Sequence, residues 1–282
     1  MEPDATLTRR QLIRRAFYGG VLAAAASYGY GRTFERRIII TKRVGVTLPR
    51  LHSAHAGLKI AQLSDLHLHP YTEPETIAKA VAITNALEPD LILLTGDFIT
   101  HKGSDAEELG ELLRPLKSRH GIFGSMGNHD CWFQPWLVRK HLTASGIQML
   151  ENAGTELSIN GEKLWLGGLD SVWAGRPEVN KALPRSSGIT TLMMVHEPDY
   201  ADIIAERNRP LLQLSGHSHG GQVRMPFAGA VVTVPWAKKY IRGLHQIGDV
   251  TLYVNSGIGC TSHAVRFACP PEVTLLTLQS RG

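Results

Sequence analysis

Five short segments of this 282-residue chain place carboxylate, amide and imidazole side chains directly after runs of apolar residues. The segments are Ser64-Asp65-Leu66-His67, Thr95-Gly96-Asp97, Gly127-Asn128-His129-Asp130, His196-Glu197 and Ser215-Gly216-His217-Ser218-His219. Oxygen donors mixed with imidazoles suit borderline first-row cations such as Mn²⁺, Fe or Zn²⁺ better than Ca²⁺ or Mg²⁺. Any one of these segments, taken alone, is more often a polar turn at a strand end than part of a metal site. Their joint occurrence predicts a metal site.

The apolar runs are short, as buried strands are, and they alternate with longer amphipathic segments. The sequence predicts strands over residues 58–63, 91–94, 121–126, 164–169, 190–195 and 211–214. It predicts helices over residues 73–87, 105–118, 135–144 and 199–207. This alternation indicates an α/β protein with helices layered on sheet. Because ligands bind beyond the carboxyl ends of strands in open α/β sheets, we expect the five segments to converge at one edge of a sheet.

The five blocks resemble, in this order, those of the calcineurin-like metallophosphoesterases. The blocks read D-x-H (Asp65, His67), G-D (ending at Asp97), G-N-H-D (residues 127–130), H (His196) and G-H-x-H (residues 216–219). The resemblance covers roughly residues 58–280, with no departure at a ligand position. Segments 216–229, 255–259 and 266–278 are similar to a branch of exported or membrane-associated bacterial phosphodiesterases. That branch includes a twin-arginine-exported type and a type that cleaves UDP-2,3-diacylglucosamine.

The resemblance implies a fold and a set of metal ligands. The fold is a four-layer α/β/β/α sandwich of two facing mixed sheets. Two divalent metal ions (Mn²⁺, Fe or Zn²⁺) are implied, with Asp97 bridging them because two close cations need a shared anionic ligand. The first ion would be held by Asp65, His67, Asp97 and His219. The second would be held by Asp97, Asn128, His196 and His217.

The resemblance also implies roles for two residues that are not ligands. A hydroxide that bridges the two metals would attack phosphorus in line. His129 would protonate the leaving oxygen or stabilise its charge. Asp130, the next residue, would orient His129, as carboxylate–imidazole pairs do around metal sites.

Four further side chains are weaker candidates. Arg266 lies in the segment that resembles the C-terminal strand of the family, where it would face phosphate; a surface salt bridge is the favoured alternative. Trp132, Phe133 and Trp136 follow the G-N-H-D block. They would either border the substrate entrance and meet a lipid or nucleoside, or pack in the core.

The N-terminus resembles a twin-arginine export signal, which a receptor reads on proteins that are exported already folded. Arg9 and Arg10 precede a mostly apolar stretch from Ala16 to Gly31, and the small residues 24–26 would permit cleavage. The stretch is short and glycine-rich for a membrane span, which needs roughly 20 apolar residues. The alternative is a basic amphipathic helix that stays in the cytoplasm.

Charge is distributed unevenly along the chain. Residues 1–50 hold ten Lys/Arg against three Asp/Glu, a net +7, whereas the other 232 residues hold twenty against twenty-two, a net −2. The body is slightly acidic, so its charge gives no reason to expect a nucleic-acid partner. The basic residues between 32 and 50 either attract anionic lipid headgroups or form a solvated strand face. The apolar residues within 38–47 predict an early strand in either case.

The chain holds three cysteines, Cys131, Cys260 and Cys269, without a C-x-x-C motif, which excludes a zinc ribbon. We favour three free, largely buried thiols. A Cys260–Cys269 disulfide is the alternative in an exported protein.

These observations divide the chain into an export signal or membrane anchor (residues 1–31), a basic lead-in strand segment (32–57) and a metallophosphoesterase catalytic domain (58–282). We expect a phosphodiester hydrolase with two metal ions at the outer, periplasmic face of the cytoplasmic membrane. Its expected partners are a phosphoester substrate, lipid-linked in one version, the membrane itself and the twin-arginine export machinery. The alternatives are a lipid-sugar nucleotide pyrophosphatase and a catalytically silent binding scaffold.

Overall fold

The computed structural model describes residues 8–186, 188–209 and 211–280. Its strands are β1 (Ile40–Thr47), β2 (Lys59–Leu63), β3 (Leu91–Thr95), β4 (Ile122–Ser125), β5 (Gln148–Met149), β6 (Ala153–Ile159), β7 (Glu162–Gly168), β8 (Thr190–Met194), β9 (Leu211–Ser215), β10 (Arg224–Met225), β11 (Gly229–Ala230), β12 (Gly243–Ile247), β13 (Val250–Val254) and β14 (Glu272–Gln279). Its α-helices are α1 (Arg9–Thr33), α2 (Pro74–Ala86), α3 (Asp105–Leu113), α4 (Asn128–Trp132), α5 (Pro135–Ala144), α6 (Val179–Ala182) and α7 (Ala201–Ala205).

Two six-stranded mixed sheets form the centre of the domain. Sheet 1 has the order β1-β14-β2-β3-β4-β5, and sheet 2 has the order β12-β13-β9-β8-β7-β6. In sheet 1, β14 is antiparallel to β2, whereas β2, β3, β4 and β5 run parallel. In sheet 2, β7, β8, β9 and β13 run parallel, and β6 and β12 are antiparallel edges.

Three apolar layers separate the sheets and the helices. Alternate residues of β3 illustrate the division: Leu91 and Leu93 pack between the two sheets, and Ile92 and Leu94 pack beneath the helices that cover sheet 1. Because strand side chains alternate between faces, a continuous apolar run can supply both layers at once. Sheet 2 is covered in the same way on its other face. The predicted four-layer α/β/β/α sandwich is confirmed.

The predicted helices lie where the structure has helices, with differences at their ends. The helix predicted over 135–144 has those bounds, and the one over 73–87 is shorter by one residue at each end. The helix predicted over 105–118 ends at Leu113. Pro115 explains the difference, since the residue before a proline is disfavoured in helical conformation. The last predicted helix is divided into a 3₁₀ turn, Pro198–Tyr200, and the short α7.

The N-terminal helix α1 begins after Thr8, whose hydroxyl oxygen accepts a hydrogen bond from the Gln11 amide. Most of its apolar side chains are exposed, including Phe17 and Leu22. Among the described residues, no helix combines the length and the hydropathy that a membrane crossing requires. The helix continues two residues past the predicted boundary at residue 31 and packs on the domain at Gly31, whose carbonyl accepts the Arg266 N–H at 3.2 Å.

The segment 32–57 contributes an edge strand to sheet 1. Strand β1 pairs in parallel with β14 over eight residues, from Ile40 to Thr47. Three of its six basic residues form ion pairs inside the domain: Arg36 and Arg37 with Glu73, and Lys42 with Glu272. The predicted strand is therefore present, and half of the basic side chains are already neutralised by carboxylates.

Arg266 has neither of the two roles that the sequence suggested. Its side chain is completely buried, and its guanidinium donates to the carbonyls of Ser256, Gly257, Gly259 and Cys269 at 2.6–3.2 Å. Guanidinium offers five donors in a fixed fork, so one side chain can satisfy several carbonyls of a folded-back loop. Arg266 therefore organises the loop between β13 and β14 and forms no surface salt bridge.

All three cysteines are free thiols, as the favoured interpretation held. Cys260 and Cys269 are buried without forming the alternative disulfide, and Cys131 is half-buried. The Cys269 thiol donates to the carbonyl of His219 at 3.3 Å, so it connects the loop before β14 to one of the predicted metal ligands.

Candidate metal centre

The predicted ligands meet at the carboxyl ends of strands, but they come from two sheets and not from one. Sheet 1 supplies Asp65 and His67 after β2, Asp97 after β3, and Asn128 at the start of α4. Sheet 2 supplies His196 after β8, and His217 and His219 after β9. All seven side chains are buried. The two sheets face one another, so their adjacent strand ends enclose one centre.

The backbone turns sharply at most of these positions. Asp65, His67, Asp97, His217 and His219 all have positive φ, between 44° and 68°. This left-handed region is uncommon for residues other than glycine, and such strained positions cluster at functional sites. Each of these residues lies within four residues of a strand end.

The donor atoms form two clusters. Asp65, His67 and His219 form the first, and Asp97, His196 and His217 form the second, each with ligand atoms within 4.8 Å of one another. The Asp97 carboxylate joins them, because its Oδ2 lies 3.2 Å from His196 Nε2 and 3.3 Å from His67 Nε2. One carboxylate therefore contacts both groups, as a bridging ligand must.

Several polar atoms of the centre are buried without a hydrogen-bond partner. They are Nδ1 of His67, Oδ1 of Asn128, Nε2 of His196 and Nδ1 of His219. Buried polar groups are almost always satisfied, so several such atoms in one place are what a site for an ion would provide. Neutral imidazoles, an amide oxygen and carboxylates are suitable ligands for first-row divalent cations. The residues present therefore fit two divalent metals.

Backbone carbonyls orient the imidazoles. The carbonyl of Thr95 lies 2.6 Å from Nδ1 of His196, and the carbonyl of Pro235 lies 2.8 Å from Nε2 of His217. A carbonyl can only accept, so the nitrogen that faces it carries an N–H in each ring, and the other nitrogen points away from the carbonyl. That other nitrogen is the one available to a metal.

The electrostatics also favour cation binding. Burial would raise the pKa of Asp97, but the charges of His196 and His129 outweigh burial and hold that pKa well below its usual range. Burial would lower the pKa of His196, yet Asp97 holds it well above its usual range. Burial lowers the pKa of His67 to about 4, which keeps this imidazole neutral. Asp97 thus stays ionised, and a metal that binds at Nε2 of His196 replaces the proton that Asp97 otherwise stabilises there.

His129 borders the centre from the G-N-H-D turn. Its amide donates to Asp97 Oδ1 at 2.9 Å, and its ring meets that of His67 edge-on with centroids 4.8 Å apart. A carbonyl, that of Thr100, lies 2.7 Å from its Nδ1 and leaves Nε2 free. A nitrogen of its ring also lies within 4.8 Å of a ring nitrogen of His67 and of a carboxylate oxygen of Asp97. The ring is therefore close enough to reach a substrate bound at the metals.

The predicted pairing of Asp130 with His129 is wrong. Asp130 is fully buried, and its carboxylate accepts hydrogen bonds from the backbone amides of Phe98, Ile99 and Gly127 at 2.8–3.2 Å. The helical turn that begins at Asn128 points the two neighbouring side chains in different directions. Asp130 fastens the loop after Asp97 to the loop before Asn128, and the Thr100 carbonyl orients His129 instead. Burial and the charge of Asp97 raise the pKa of Asp130 to about 8.

The aromatic residues after the G-N-H-D block divide between surface and core. Trp132 is 44% exposed and its ring lies 5.3 Å from that of His129, so it borders the site. Phe133 is half-buried and packs against the core beneath sheet 1. Trp136 is exposed on α5.

Sequence reasoning missed several contributors to the site. Trp173, in the loop after β7, lies with its ring 5.6 Å from that of His217. Glu197 is buried and accepts the amide of Trp173 at 3.2 Å. The position of Trp173 just beyond a predicted strand end was the only available signal. The carbonyls of Thr95, Thr100 and Pro235 that orient the imidazoles could not be predicted, because every residue has a backbone carbonyl.

The calcineurin-like phosphoesterase family matches residues 58–221, more than half of the chain. This chain belongs to the calcineurin-like phosphoesterase family. It is 36% identical over 283 residues to the uncharacterized metallophosphoesterase YkuE of Bacillus subtilis, over 97% of this chain and 98% of that protein. It is 33% identical over 235 residues to phosphodiesterase YaeI of Escherichia coli, over 79% of this chain and 83% of that protein.

A solved structure supports the fold. The NAD nucleotidase of Haemophilus influenzae superimposes with a TM-score of 0.50 at 15% identity, over 74% of this chain and 48% of that longer one. Family membership makes this calcineurin-like phosphoesterase a metal-dependent phosphoester hydrolase, and the family uses two divalent metals. The two donor clusters are where those metals fit.

Replacing Asp97 by Asn should remove more metal than any other single ligand change, because Asp97 contacts both clusters. We expect Asp97→Asn to lose both ions, and His67→Ala or Asn128→Ala to lose about one each. Elemental analysis of purified protein measures this directly. Asp249→Asn, an exchange at an exposed turn, is the matched control. Two retained metals with full activity in Asp97→Asn would show that Asp97 is not a bridge.

Proposed function

We propose that this chain is a phosphodiesterase whose two metal ions are held by the seven predicted ligands. The observation that carries the proposal is the Asp97 carboxylate, which joins two donor clusters within 3.3 Å and has His129 directly beside it. The first ion is assigned to Asp65, His67, Asp97 and His219. The second is assigned to Asp97, Asn128, His196 and His217. The similarity to the E. coli phosphodiesterase YaeI favours a diester over a monoester.

When bound, the two ions supply a water that is acidic enough to serve as nucleophile near neutral pH, and positive charge for the phosphoryl oxygens. The protein contributes position and exclusion of water. All seven assigned ligands are buried, and the carbonyls behind His196 and His217 prevent their rings from rotating. Ligands fixed in this way hold a substrate phosphate in one orientation, which lowers the entropy lost in reaching the transition state.

His129 is assigned the role of general acid. Its Nδ1–H is held by the Thr100 carbonyl, so Nε2 is the nitrogen that can hold or release a proton toward substrate. As an imidazolium it donates that proton to the departing ester oxygen, which would otherwise leave with a full negative charge. The ring is half-buried and therefore accessible from solvent for reprotonation.

A substrate panel tests the proposed activity. We expect the purified protein to hydrolyse bis(p-nitrophenyl) phosphate and glycerophosphodiesters faster than p-nitrophenyl phosphate, more strongly with Mn²⁺ or Zn²⁺ than with Mg²⁺. Chelation should abolish the activity, because every assigned ligand serves a metal. Preferential cleavage of UDP-2,3-diacylglucosamine would favour the lipid-sugar pyrophosphatase instead. Two bound metals without turnover of any substrate would favour a binding scaffold.

Replacing His129 tests the general acid. His129→Gln should keep both metals and lower kcat by about 10²–10⁴-fold. The loss should be smaller for nitrophenyl esters than for alkyl esters, because a good leaving group needs little protonation. His120→Gln, a half-buried histidine just before the amino end of β4, is the control. A uniform loss of rate together with lost metal would make His129 a ligand.

We also propose that the chain is exported by the twin-arginine route and acts at the outer face of the cytoplasmic membrane. The arginine pair stands at the start of α1, where the Thr8 cap begins the helix, and the apolar side chains of the helix are exposed for a receptor to contact. Of the basic residues between 32 and 50, Arg32, Arg43 and Arg50 are exposed and available to anionic headgroups.

Changing the arginine pair tests this location. Arg9→Lys with Arg10→Lys should retain folded, metal-loaded protein in the cytoplasm, because a receptor that reads arginine geometry rejects lysine. Arg14→Lys with Arg15→Lys, in the same helix, should leave export unchanged. Cell fractionation measures both, and the exported protein should be partly released by 1 M salt, where the Debye length is about 3 Å. Soluble cytoplasmic recovery of the unaltered protein would contradict export, and salt-resistant retention would make α1 an anchor.

A further inference from the structure

Two indole side chains stand at the solvent side of the metal centre. Trp132 is the last residue of α4, which follows β4 of sheet 1. Trp173 lies in the loop after β7 of sheet 2. Their rings are edge-to-face with centroids 4.8 Å apart. They remain 44% and 39% exposed, although aromatic rings of this size are normally largely buried.

Both indoles touch rings of the centre itself. The Trp132 ring lies 5.3 Å from that of His129, the proposed general acid. The Trp173 ring lies 5.6 Å from that of His217, a proposed ligand. A substituent attached directly to a bound phosphate would therefore meet the indoles first. The acyl chains of a diacyl lipid begin farther from phosphorus, beyond a glycerol or sugar unit.

A buried carboxylate that takes no part in the metal clusters fixes the loop backbone that carries one of the two indoles. Glu197 accepts the hydroxyl of Ser171 at 2.5 Å and the amides of Val172 and Trp173 at 2.9 and 3.2 Å. These three hydrogen bonds satisfy the buried carboxylate of Glu197 and hold the loop in one conformation. Because the backbone that carries the ring is already fixed, less entropy is lost when the ring contacts a ligand.

We propose that Trp132 and Trp173 form a binding subsite for a planar ring carried on one ester group of the substrate. The inference rests on the proposed phosphodiesterase function and adds the class of diester: an aryl or nucleoside ester. Partly exposed indole rings stack on planar rings of any kind, and the loss of one such contact typically lowers affinity about 5- to 100-fold. Glu197 is the positioning residue of this subsite.

Binding of three phosphonates to the metal-loaded protein tests the subsite without requiring turnover. Phenylphosphonate carries a ring, methylphosphonate carries none, and hexylphosphonate carries a flexible chain. We expect phenylphosphonate to bind about 5- to 100-fold more tightly than methylphosphonate, as measured by calorimetry. Trp132→Ala and Trp173→Ala should each reduce that preference, and the Phe replacements at the same positions should keep most of it.

Trp136→Ala is the matched control, since Trp136 is 59% exposed on the neighbouring helix and should leave all three affinities unchanged. Equal affinity of the unaltered protein for phenyl- and methylphosphonate would overturn the subsite. Equal, tryptophan-dependent affinity for hexyl- and phenylphosphonate would overturn the planar-ring assignment and indicate an apolar chain. These are binding measurements, so they do not depend on turnover. If the protein prefers phenylphosphonate but hydrolyses no diester, the phosphodiesterase proposal fails and the subsite remains.

Discussion

One carboxylate, that of Asp97, connects the strand ends of the two sheets. Its Oδ1 accepts a hydrogen bond from the His129 amide, and its Oδ2 lies beside Nε2 of His67 and of His196. Both oxygens therefore contact other groups of the centre. The backbone must come very near to allow this. A Cβ at Gly127 would lie 2.3 Å from Asp97 Oδ1, and one at Gly96 would lie 2.8 Å from His196 Nδ1. Both positions therefore require glycine for steric reasons.

The left-handed turns that bring the ligands together are unfavourable on their own, at about 1–3 kcal/mol each. Hydrogen bonds between neighbouring turns hold them. The Asp65 amide donates to the Gly96 carbonyl and the His67 amide to the Asp97 carbonyl, both at 3.0 Å. The His217 amide donates to the Asp65 carboxylate at 2.9 Å, which ties sheet 2 to sheet 1. The strain of each turn is thus compensated by the next one, and the centre is stable only as a unit.

The convergence of the site residues was predictable because it follows from residue types and strand polarity. Parallel strands bring their ends together, so Asp65, Asp97 and Asn128 had to be neighbours. The division into two sheets was not predictable from the spacing and came only from the family resemblance. The prediction that Asp130 orients His129 was wrong for a related reason. Two residues adjacent in sequence at a helix start can point their side chains in different directions, and the Asp130 carboxylate binds backbone amides. Carbonyl contacts and the burial of Arg266 depend on tertiary packing, which no local pattern encodes.

The segment between the N-terminal helix and β1 is connected to the centre through a short chain of hydrogen bonds. Glu35, which is buried, accepts the Cys269 amide at 2.6 Å, and the Cys269 thiol donates to the His219 carbonyl at 3.3 Å. Gly31 packs on the loop that Arg266 organises. Cleavage among the small residues 24–26 would preserve all of these contacts, whereas a cut after residue 35 would remove a buried carboxylate that satisfies a buried amide. A cut before Glu35 would therefore keep the hydrogen bonds that connect this segment to the loop beside His219, and a cut before Gly31 would keep the Gly31 contact with Arg266 as well.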